Sequence, residues 1–242
     1  MVQGGPEGGG GSAGSPDDRL ARIEAAVDRG EGALRALGFW RLVANVKRDP
    51  AAAERLGPRI ARIDREGFER GVRLRFPIWF GNVVLVGGIV VGAGGIVVAM
   101  RADEDLVAAL GLIVAAGAWS VAVHGLAHWA VGRAVGIAFT SYFFRPRQFP
   151  PRPGIKVDYA SYLRTGASRR AAMHAAGAVA TKIAPFVALA MWPLTEAPAW
   201  AAWVVLGIGA LQIATDIAFS TKTGDWSKVA RERTIARDAA GG

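Results

Sequence analysis

Cysteine is absent from all 242 residues, so neither a disulfide nor a thiolate metal site is possible in this protein. Histidine is scarce, with three residues at His124, His128 and His174. That number is too small for the di-iron membrane hydroxylases and desaturases. The first 77 residues contain no apolar run resembling the core of a signal peptide, and we expect no cleavable one.

Charge is also missing from long stretches of the chain. Runs of 23 and 27 residues carry no charged side chain, and two later segments hold only Lys182 and only Asp216. About 20 consecutive apolar residues are enough to cross a bilayer. The helices of a soluble α-domain would instead be amphipathic. The sequence therefore predicts an all-α integral membrane protein with four transmembrane helices, at 78–100, 106–132, 171–194 and 197–220.

The charged residues between these segments predict the topology. Residues 1–77 hold 14 Lys and Arg, and loop 133–170 holds eight against the single acid Asp158. The first connection, 101–105, holds Arg101 against Asp103, Glu104 and Asp105, and the connection between the third and fourth spans holds only Glu196. The tail from residue 221 is again basic, with five basic residues and three acids. This alternation follows the positive-inside rule. We therefore expect a protein of the cell membrane with both termini and the long loop in the cytoplasm.

Outside the core 78–220, three segments are expected. The Gly-rich residues 1–16 are predicted to be disordered, and 17–77 to form a cytoplasmic helical segment in which Pro58 starts the third helix. Residues 221–242 read as a basic cytoplasmic tail. In loop 133–170 basic and aromatic residues alternate, and its place between two spans favours anionic lipid headgroups over nucleic acid as the partner.

The stretch VAVHGLAHWAVGRAVGI, residues 121–137, contains the main candidate site. His124 and His128 are spaced i, i+4, about 6 Å apart along one helix face. Predicted topology places them near the cytoplasmic end of the second span, at a depth similar to that of His174 and Asp216. Two imidazoles and one carboxylate form the ligand set of several catalytic zinc sites. We therefore predict a metal site of His124, His128 and Asp216. His174 and Lys182 are candidates for residues that contact these ligands without binding the metal themselves.

Other interpretations of these polar residues stay open. Asp216 can pair with Lys182, and the histidines can hydrogen-bond neighbouring spans. The protein would then be a non-enzymatic membrane adaptor, or a pathway for protons or small solutes, with no metal. Haem would need His174, because an i, i+4 pair cannot ligate both faces of one haem. An intramembrane serine protease would need a serine–histidine pair, and Ser120 and His124 have a suitable i, i+4 spacing.

HGLAHWAVGRAVGI resembles the HELGHxxxARxxGI stretch of site-2 proteases, the intramembrane zinc metallopeptidases. The resemblance covers about residues 106–222. It implies a zinc cofactor, a transmembrane protein segment as substrate, and an aspartate ligand two spans later, the place that Asp216 occupies. The usual N-P-x-x-P-L-D-G context is replaced by TDIAFSTKTGDW, in which Asp225 is the alternative ligand.

One position departs from the family's motif in a way that affects the chemistry. Gly125 stands where the family has its catalytic glutamate, the residue that takes a proton during hydrolysis. General acid–base help of this kind is worth about 10²–10⁴-fold in rate. The sequence therefore predicts a metallopeptidase-like protein with no catalytic residue at this position, which is weak or inactive as a protease.

Overall fold

The computed structural model describes residues 15–31, 33–145, 152–220 and 224–241. Most of the segment predicted to be disordered, residues 1–14, lies outside the described residues. In chain order the elements are α1 Pro16–Asp28, α2 Phe39–Val46, α3 Pro50–Gly71, β1 Leu74–Phe76, α4 Ile78–Arg101, α5 Asp105–Ala134, β2 Phe139–Arg145, β3 Arg152–Val157, α6 Tyr159–Arg164, α7 Ala167–Met191, α8 Ala199–Thr215 and α9 Asp225–Gly241.

Four of these helices, α4, α5, α7 and α8, are long and apolar enough to cross a membrane. They coincide with the four predicted spans, and the prediction of an all-α membrane protein is confirmed, with 79% of the structure helical. The last turns of the third and fourth predicted spans are helical but not α-helical. A 3₁₀ turn, Trp192–Leu194, completes the third, and a π-helical turn, Asp216–Ser220, completes the fourth.

The spans pack through small residues and expose large apolar ones. A Cβ on Gly95 of α4 would overlap the backbone of α5 at Gly111, and a Cβ on Gly111 would overlap α4 in the same way. Glycine thus permits the close approach of the two helices. On the outer surface, Val90 is 65% and Trp203 70% exposed, as side chains facing lipid would be.

Helices α1 to α3 form a small unit around an apolar core that Leu163 of α6 also joins, and the most deeply buried large side chains of this core are Leu20, Phe39, Leu42, Leu56, Ile60 and Ile63. Ser15 caps α1 through a capping box with Asp18, and Asp49 caps α3. The prediction that Pro58 starts the third helix was wrong. The cap at Asp49 starts α3 eight residues earlier, and Pro58 lies inside the helix.

A three-stranded antiparallel sheet with the order β1-β2-β3 lies at one end of the bundle. Strand β1 leads directly into α4, and β2 follows α5, so we call this end the sheet end. Leu74 pairs with Phe144, and Tyr142 pairs with Ile155. The sequence reading treated the region of β2 and β3 as an extended loop. The aromatic run of β2 favours a strand, and Pro153 is tolerated because β3 is an edge strand.

Helix α9 returns along α7 at the sheet end and supplies two acidic side chains to the interior. Val229 and Glu232 are 3% and 2% exposed, so the described part of the tail is packed rather than a free basic segment. Asp225 is the first residue of α9. The tail thus brings Asp225 and Glu232 against the end of the bundle.

Candidate metal centre

The two histidines of α5 lie in its last three turns, near the sheet end. Their ring centroids are 4.7 Å apart and their planes meet edge to face at 86°. The His128 side chain is 8% exposed and that of His124 is 44% exposed. His128 is therefore shielded from solvent, whereas His124 is accessible.

His128 is fixed against α7 through its Nδ1 atom. This nitrogen lies 2.8 Å from the carbonyl oxygen of Met173. A carbonyl can only accept, so Nδ1 carries the hydrogen and donates it. A Cβ on Gly177 would overlap the His128 ring, so the glycine on α7 makes room for the imidazole.

His124 is oriented in the same way one turn earlier. Its Nδ1 lies 2.9 Å from Thr181 Oγ1, and the Thr181 hydroxyl donates to the carbonyl oxygen of Gly177 at 2.8 Å. The threonine hydrogen is therefore committed, and its oxygen accepts from His124 Nδ1. Both imidazoles thus carry their hydrogen on Nδ1 in the neutral form and present a lone pair on Nε2.

These two lone pairs face the same carboxylate oxygen. Asp225 Oδ2 lies 3.2 Å from His128 Nε2 and 3.6 Å from His124 Nε2. A lone pair on nitrogen and a carboxylate oxygen are both acceptors and repel each other unless a cation lies between them. That cation is either a proton on an imidazole or a metal ion. The arrangement is that of metal-binding histidines, whose second nitrogen donates to an acceptor outside the site.

The two distances between the carboxylate oxygen and the histidine nitrogens suit a zinc ion. His124, His128 and Asp225 form a group whose ligand atoms all lie within 4.8 Å of one another. In tetrahedral zinc sites with bonds of about 2.0–2.2 Å, neighbouring ligand atoms are about 3.3–3.6 Å apart. The two nitrogen–oxygen distances, 3.2 and 3.6 Å, are close to this range. Two nitrogen ligands and one oxygen ligand can hold the ion and leave a fourth position open.

Asp225 is held in the ionised form by its neighbours. Its side chain is 16% exposed, and Oδ1 accepts from Lys228 Nζ at 2.9 Å, which leaves Oδ2 for the histidines. Burial alone would raise the pKa of Asp225. In the absence of a metal ion, a hydrogen bond from His128, which requires a proton on Nε2, and the charge of Lys228 outweigh burial and hold this pKa well below its usual range. The carboxylate is therefore a charged ligand at neutral pH.

The structure does not bring Asp216, the aspartate predicted from the sequence, to the histidines. Its Oδ2 lies 3.0 Å from Lys182 Nζ and accepts from Trp226 Nε1 at 2.6 Å. Lys182, within a membrane span, needs a counter-ion, and Asp216 supplies it. Among the described residues, Asp225 replaces Asp216 in the group with His124 and His128. Lys182 consequently pairs with Asp216 rather than with a member of that group.

His174 belongs to a second polar cluster near α9. Its Nε2 lies 2.9 Å from the hydroxyl of Tyr162, which is 3.0 Å from Glu232 Oε1. Glu232 also forms ion pairs with Arg170 and Lys47, both at 2.6 Å, and we call Lys47, Arg170 and Glu232 the buried ion cluster. Sequence reasoning missed Glu232, since it treated α9 as a surface helix. A single acid seven residues after Asp225, two helical turns along the same face, was the available signal.

Position 125 faces away from α9. A Cβ there would lie 2.7 Å from Leu85 Cδ1 and 3.8 Å from the hydroxyl of Tyr142, on the side of α4 and β2. The group with His124 and His128 contains no glutamate among the described residues. Glu232 cannot serve as a base, because two cations and a tyrosine engage its carboxylate. Among the described residues that contact the site, none is therefore free to accept a proton in place of the missing glutamate.

Two other sequence interpretations can be compared with the geometry. Ser120 Oγ donates to the carbonyl oxygen of Ala116 at 2.7 Å, whereas His124 contacts Thr181 and Asp225. The serine–histidine pairing is therefore not formed. His174 contacts Tyr162, while the other two histidines face Asp225, so the axial pair that haem needs is not assembled by these contacts.

Comparison with known proteins gives no relative for this chain: no protein-family model, curated protein or solved structure matches it.

Proposed function

We propose that this membrane protein binds a zinc ion through His124, His128 and Asp225. The observation that carries the proposal is the convergence of two imidazole Nε2 atoms on one carboxylate oxygen, with both Nδ1 atoms committed as donors. A divalent cation between these atoms removes the repulsion of three acceptors. It also uses all three as ligands.

Zinc is the metal that the ligand set favours. Two imidazoles and a carboxylate suit zinc, whereas magnesium and calcium prefer sites made of oxygen atoms. The absence of cysteine removes thiolate sites from consideration. A bound zinc ion supplies Lewis-acid chemistry, and in this chain Met173 and Thr181 hold the two rings in the orientation that such an ion needs.

We further propose that the chain is a degenerate relative of the site-2 proteases. The i, i+4 histidines lie on a membrane span, as in that family's motif, and a later aspartate joins them. That aspartate is Asp225, beyond the fourth span, instead of Asp216. In this proposal the sheet end of the bundle is cytoplasmic, and anionic lipid headgroups contact its basic residues. The client is a transmembrane segment of another protein.

In this proposal the protein is weak or inactive as a peptidase. Gly125 lacks a side chain that could accept a proton, and Asp225 is occupied by its ligand contacts and by Lys228. Losing general acid–base help costs about 10²–10⁴-fold in rate. Metal binding is then retained for holding a client segment or for structure, rather than for efficient hydrolysis.

Measurement of bound zinc in the purified full-length protein tests the proposal. Wild type should hold about one zinc per chain, and His124→Ala with His128→Ala should hold none. His174→Ala is the matched control, because this histidine contacts Tyr162 instead of Asp225, and it should retain the metal.

Zinc missing from wild type, or unaffected by loss of both histidines, would contradict the proposal. The alternative function, a non-enzymatic adaptor or a proton or solute pathway with a metal-free polar network, would then be favoured, and a protonated imidazole would neutralise Asp225.

A further inference from the structure

A second candidate site lies between the α1–α3 unit, the sheet and α9. It is a cavity of about 620 Å³, within the size range of small-molecule sites. Its described lining contains one acidic residue, Asp64, against six basic ones. We call it the basic cavity, and its basic residues are Lys47, Arg70, Arg145, Lys156, Lys228 and Arg231.

Three of these cations already have carboxylate partners. Lys156 pairs with Asp64, Lys47 with Glu232 at 2.6 Å, and Lys228 with Asp225 at 2.9 Å. Among the described acidic residues, Arg70 has only a long contact of 3.8 Å to Glu66, and it donates to the carbonyl oxygen of Val27.

Arg145 and Arg231 form no ion pair with any residue that the structure describes. Arg145 lies on β2, with its guanidinium 5.4 Å from the Phe143 ring centroid, and Arg231 lies on α9. Both side chains line the same cavity from different elements. The cavity therefore has an excess of positive charge that its own acids leave uncompensated.

Aromatic rings complete the walls. Phe68 and Phe143 pack edge to face with centroids 5.1 Å apart, and Trp40 and Tyr159 are 5.8 Å apart. Trp40 is 41% exposed, although it is among the largest apolar side chains of the chain. The cavity is partly open to solvent, and its two arginines that form no ion pair with a described residue are exposed, so an anion can reach both guanidinium groups beside the aromatic walls.

We propose that the basic cavity binds a ligand carrying phosphate groups. Phosphate offers several acceptor oxygens and more than one negative charge, and the guanidinium fork matches its geometry. Two sources share this chemistry: a soluble phosphate ester such as a nucleoside diphosphate, and the headgroup of an anionic phospholipid. This proposal is independent of the metal site, although Lys228 and His174 lie on the cavity wall.

Binding to the full-length protein in lipid nanodiscs tests the proposal. Inorganic pyrophosphate and ADP are titrated by calorimetry into discs of phosphatidylcholine. Retention of phosphatidylglycerol is measured by mass spectrometry on discs that contain it. Every titration is run with and without added zinc, since a ligand of the basic cavity binds in both conditions whereas one held by a metal needs zinc.

The variant is the pair Arg145→Ala and Arg231→Ala, and the matched control is Arg233→Ala on the same helix, which is not a lining residue. Both target arginines lack ion pairs among the described residues, so the thermal unfolding of the variant should match wild type. We expect affinity to fall about tenfold for each guanidinium removed. The control should bind as wild type does.

The calorimetry and the lipid-retention measurement together identify which phosphate-bearing ligand the basic cavity binds. Binding of pyrophosphate or ADP that depends on the arginine pair assigns the site to a soluble phosphate ester. Selective retention of phosphatidylglycerol with the same dependence assigns it to a lipid headgroup. Absence of both, or equal binding by the arginine-pair variant and Arg233→Ala, would overturn the proposal.

Discussion

At the scale of single residues, the second nitrogen of each imidazole determines what the site can do. Met173 and Thr181 accept from the Nδ1 atoms, so the Nε2 lone pairs of His124 and His128 point at Asp225. Spacing in the sequence identifies the two histidines but not these acceptors on α7. The tautomers follow from the helix–helix contact, and the contact depends on Gly177.

Gly177→Ala should weaken zinc binding without removing a ligand. The new methyl group would overlap the His128 ring and push it away from Met173 and Asp225. Changes to such supporting positions typically cost about 10–100-fold in metal affinity. The affinity is measured by competition with a zinc-binding dye.

Gly117→Ala provides the control for this substitution, since nothing lies within 4 Å of the position of its Cβ on α5. It should bind zinc as wild type does. Equal affinities of the Gly177 and Gly117 variants would contradict the assigned role of the His128 orientation.

The third ligand shows the limit of sequence reasoning at this scale. Asp216 lies inside the predicted fourth span and Asp225 lies five residues beyond its end, so depth estimated from residue counts favours Asp216, which the structure pairs elsewhere. The decisive fact is that Lys182 and Trp226 engage Asp216. These contacts require the relative rotation of α7, α8 and the π-helical turn, which no local pattern in the sequence specifies.

At the scale of elements, α9 connects the site with the rest of the sheet end. Asp225 and Glu232 lie two turns apart on this helix, so the position of one constrains that of the other. Glu232 joins α9 to α2 through Lys47 and to α7 through Arg170. The buried ion cluster therefore anchors the helix that carries the third ligand.

Glu232→Gln should loosen α9 and weaken zinc binding together. The substitution leaves Lys47 and Arg170 buried without a counter-charge, a change that costs about 3–5 kcal/mol in comparable buried pairs. Amide hydrogen exchange in α9 should accelerate, and zinc affinity should fall. Asp238→Asn, at an exposed position of the same helix, should change neither. Faster exchange in α9 with unchanged zinc affinity would contradict the inference that Glu232 holds Asp225 in position through this helix.

The same anchor predicts a dependence on pH. Burial would raise the pKa of Glu232, but Lys47 and Arg170 outweigh it and hold the pKa below the ordinary value of 4.5. A depressed pKa means that the stabilisation is fully present above pH 4.5 and is lost as pH falls through the folded-state pKa. The protection factors of the α9 amides, which correct for the slower intrinsic exchange in acid, should therefore fall on acidification in wild type, and much less in Glu232→Gln. Parallel pH profiles for the two proteins would contradict this.

The elements themselves were predictable to different degrees. The four spans follow from long uncharged runs, because a bilayer accepts few other sequences. The sheet was not predicted, because the pairing of β1 with β2 spans α4 and α5, which no local pattern specifies, and because Pro153 favoured a loop over a strand that pairs with β2. The start of α3 was missed because proline is favoured in a first turn and disfavoured inside a helix, whereas Pro58 lies in the interior of α3.

At the scale of the whole molecule, the described extramembrane elements gather at one end of the bundle. The α1–α3 unit and the sheet contact each other there, for example through Phe68 and Phe143, and α9 reaches the same region through Glu232 and Lys47. Among the residues that the structure describes, the opposite end has only the short turns after Arg101 and Leu194. The metal centre and the basic cavity both lie at the larger end.

This asymmetry, together with the placement of basic residues, predicts that the sheet end is cytoplasmic. The chain has no cysteine, so single engineered cysteines report topology without background. Ala240→Cys should react with an impermeant maleimide only after cells are opened, whereas Asp103→Cys should react on intact cells. The reverse pattern, or labelling of both on intact cells, would contradict the topology.

The most direct test of the account compares the two aspartates in one measurement, the zinc dissociation constant of Asp225→Asn and of Asp216→Asn. The structure places Asp225 Oδ2 against both histidines and Asp216 against Lys182. We predict that Asp225→Asn weakens zinc binding by 10-fold or more, about 1.4 kcal/mol at least, and that Asp216→Asn leaves it near the wild-type value. Loss of zinc in Asp216→Asn with wild-type affinity in Asp225→Asn would contradict the proposed site.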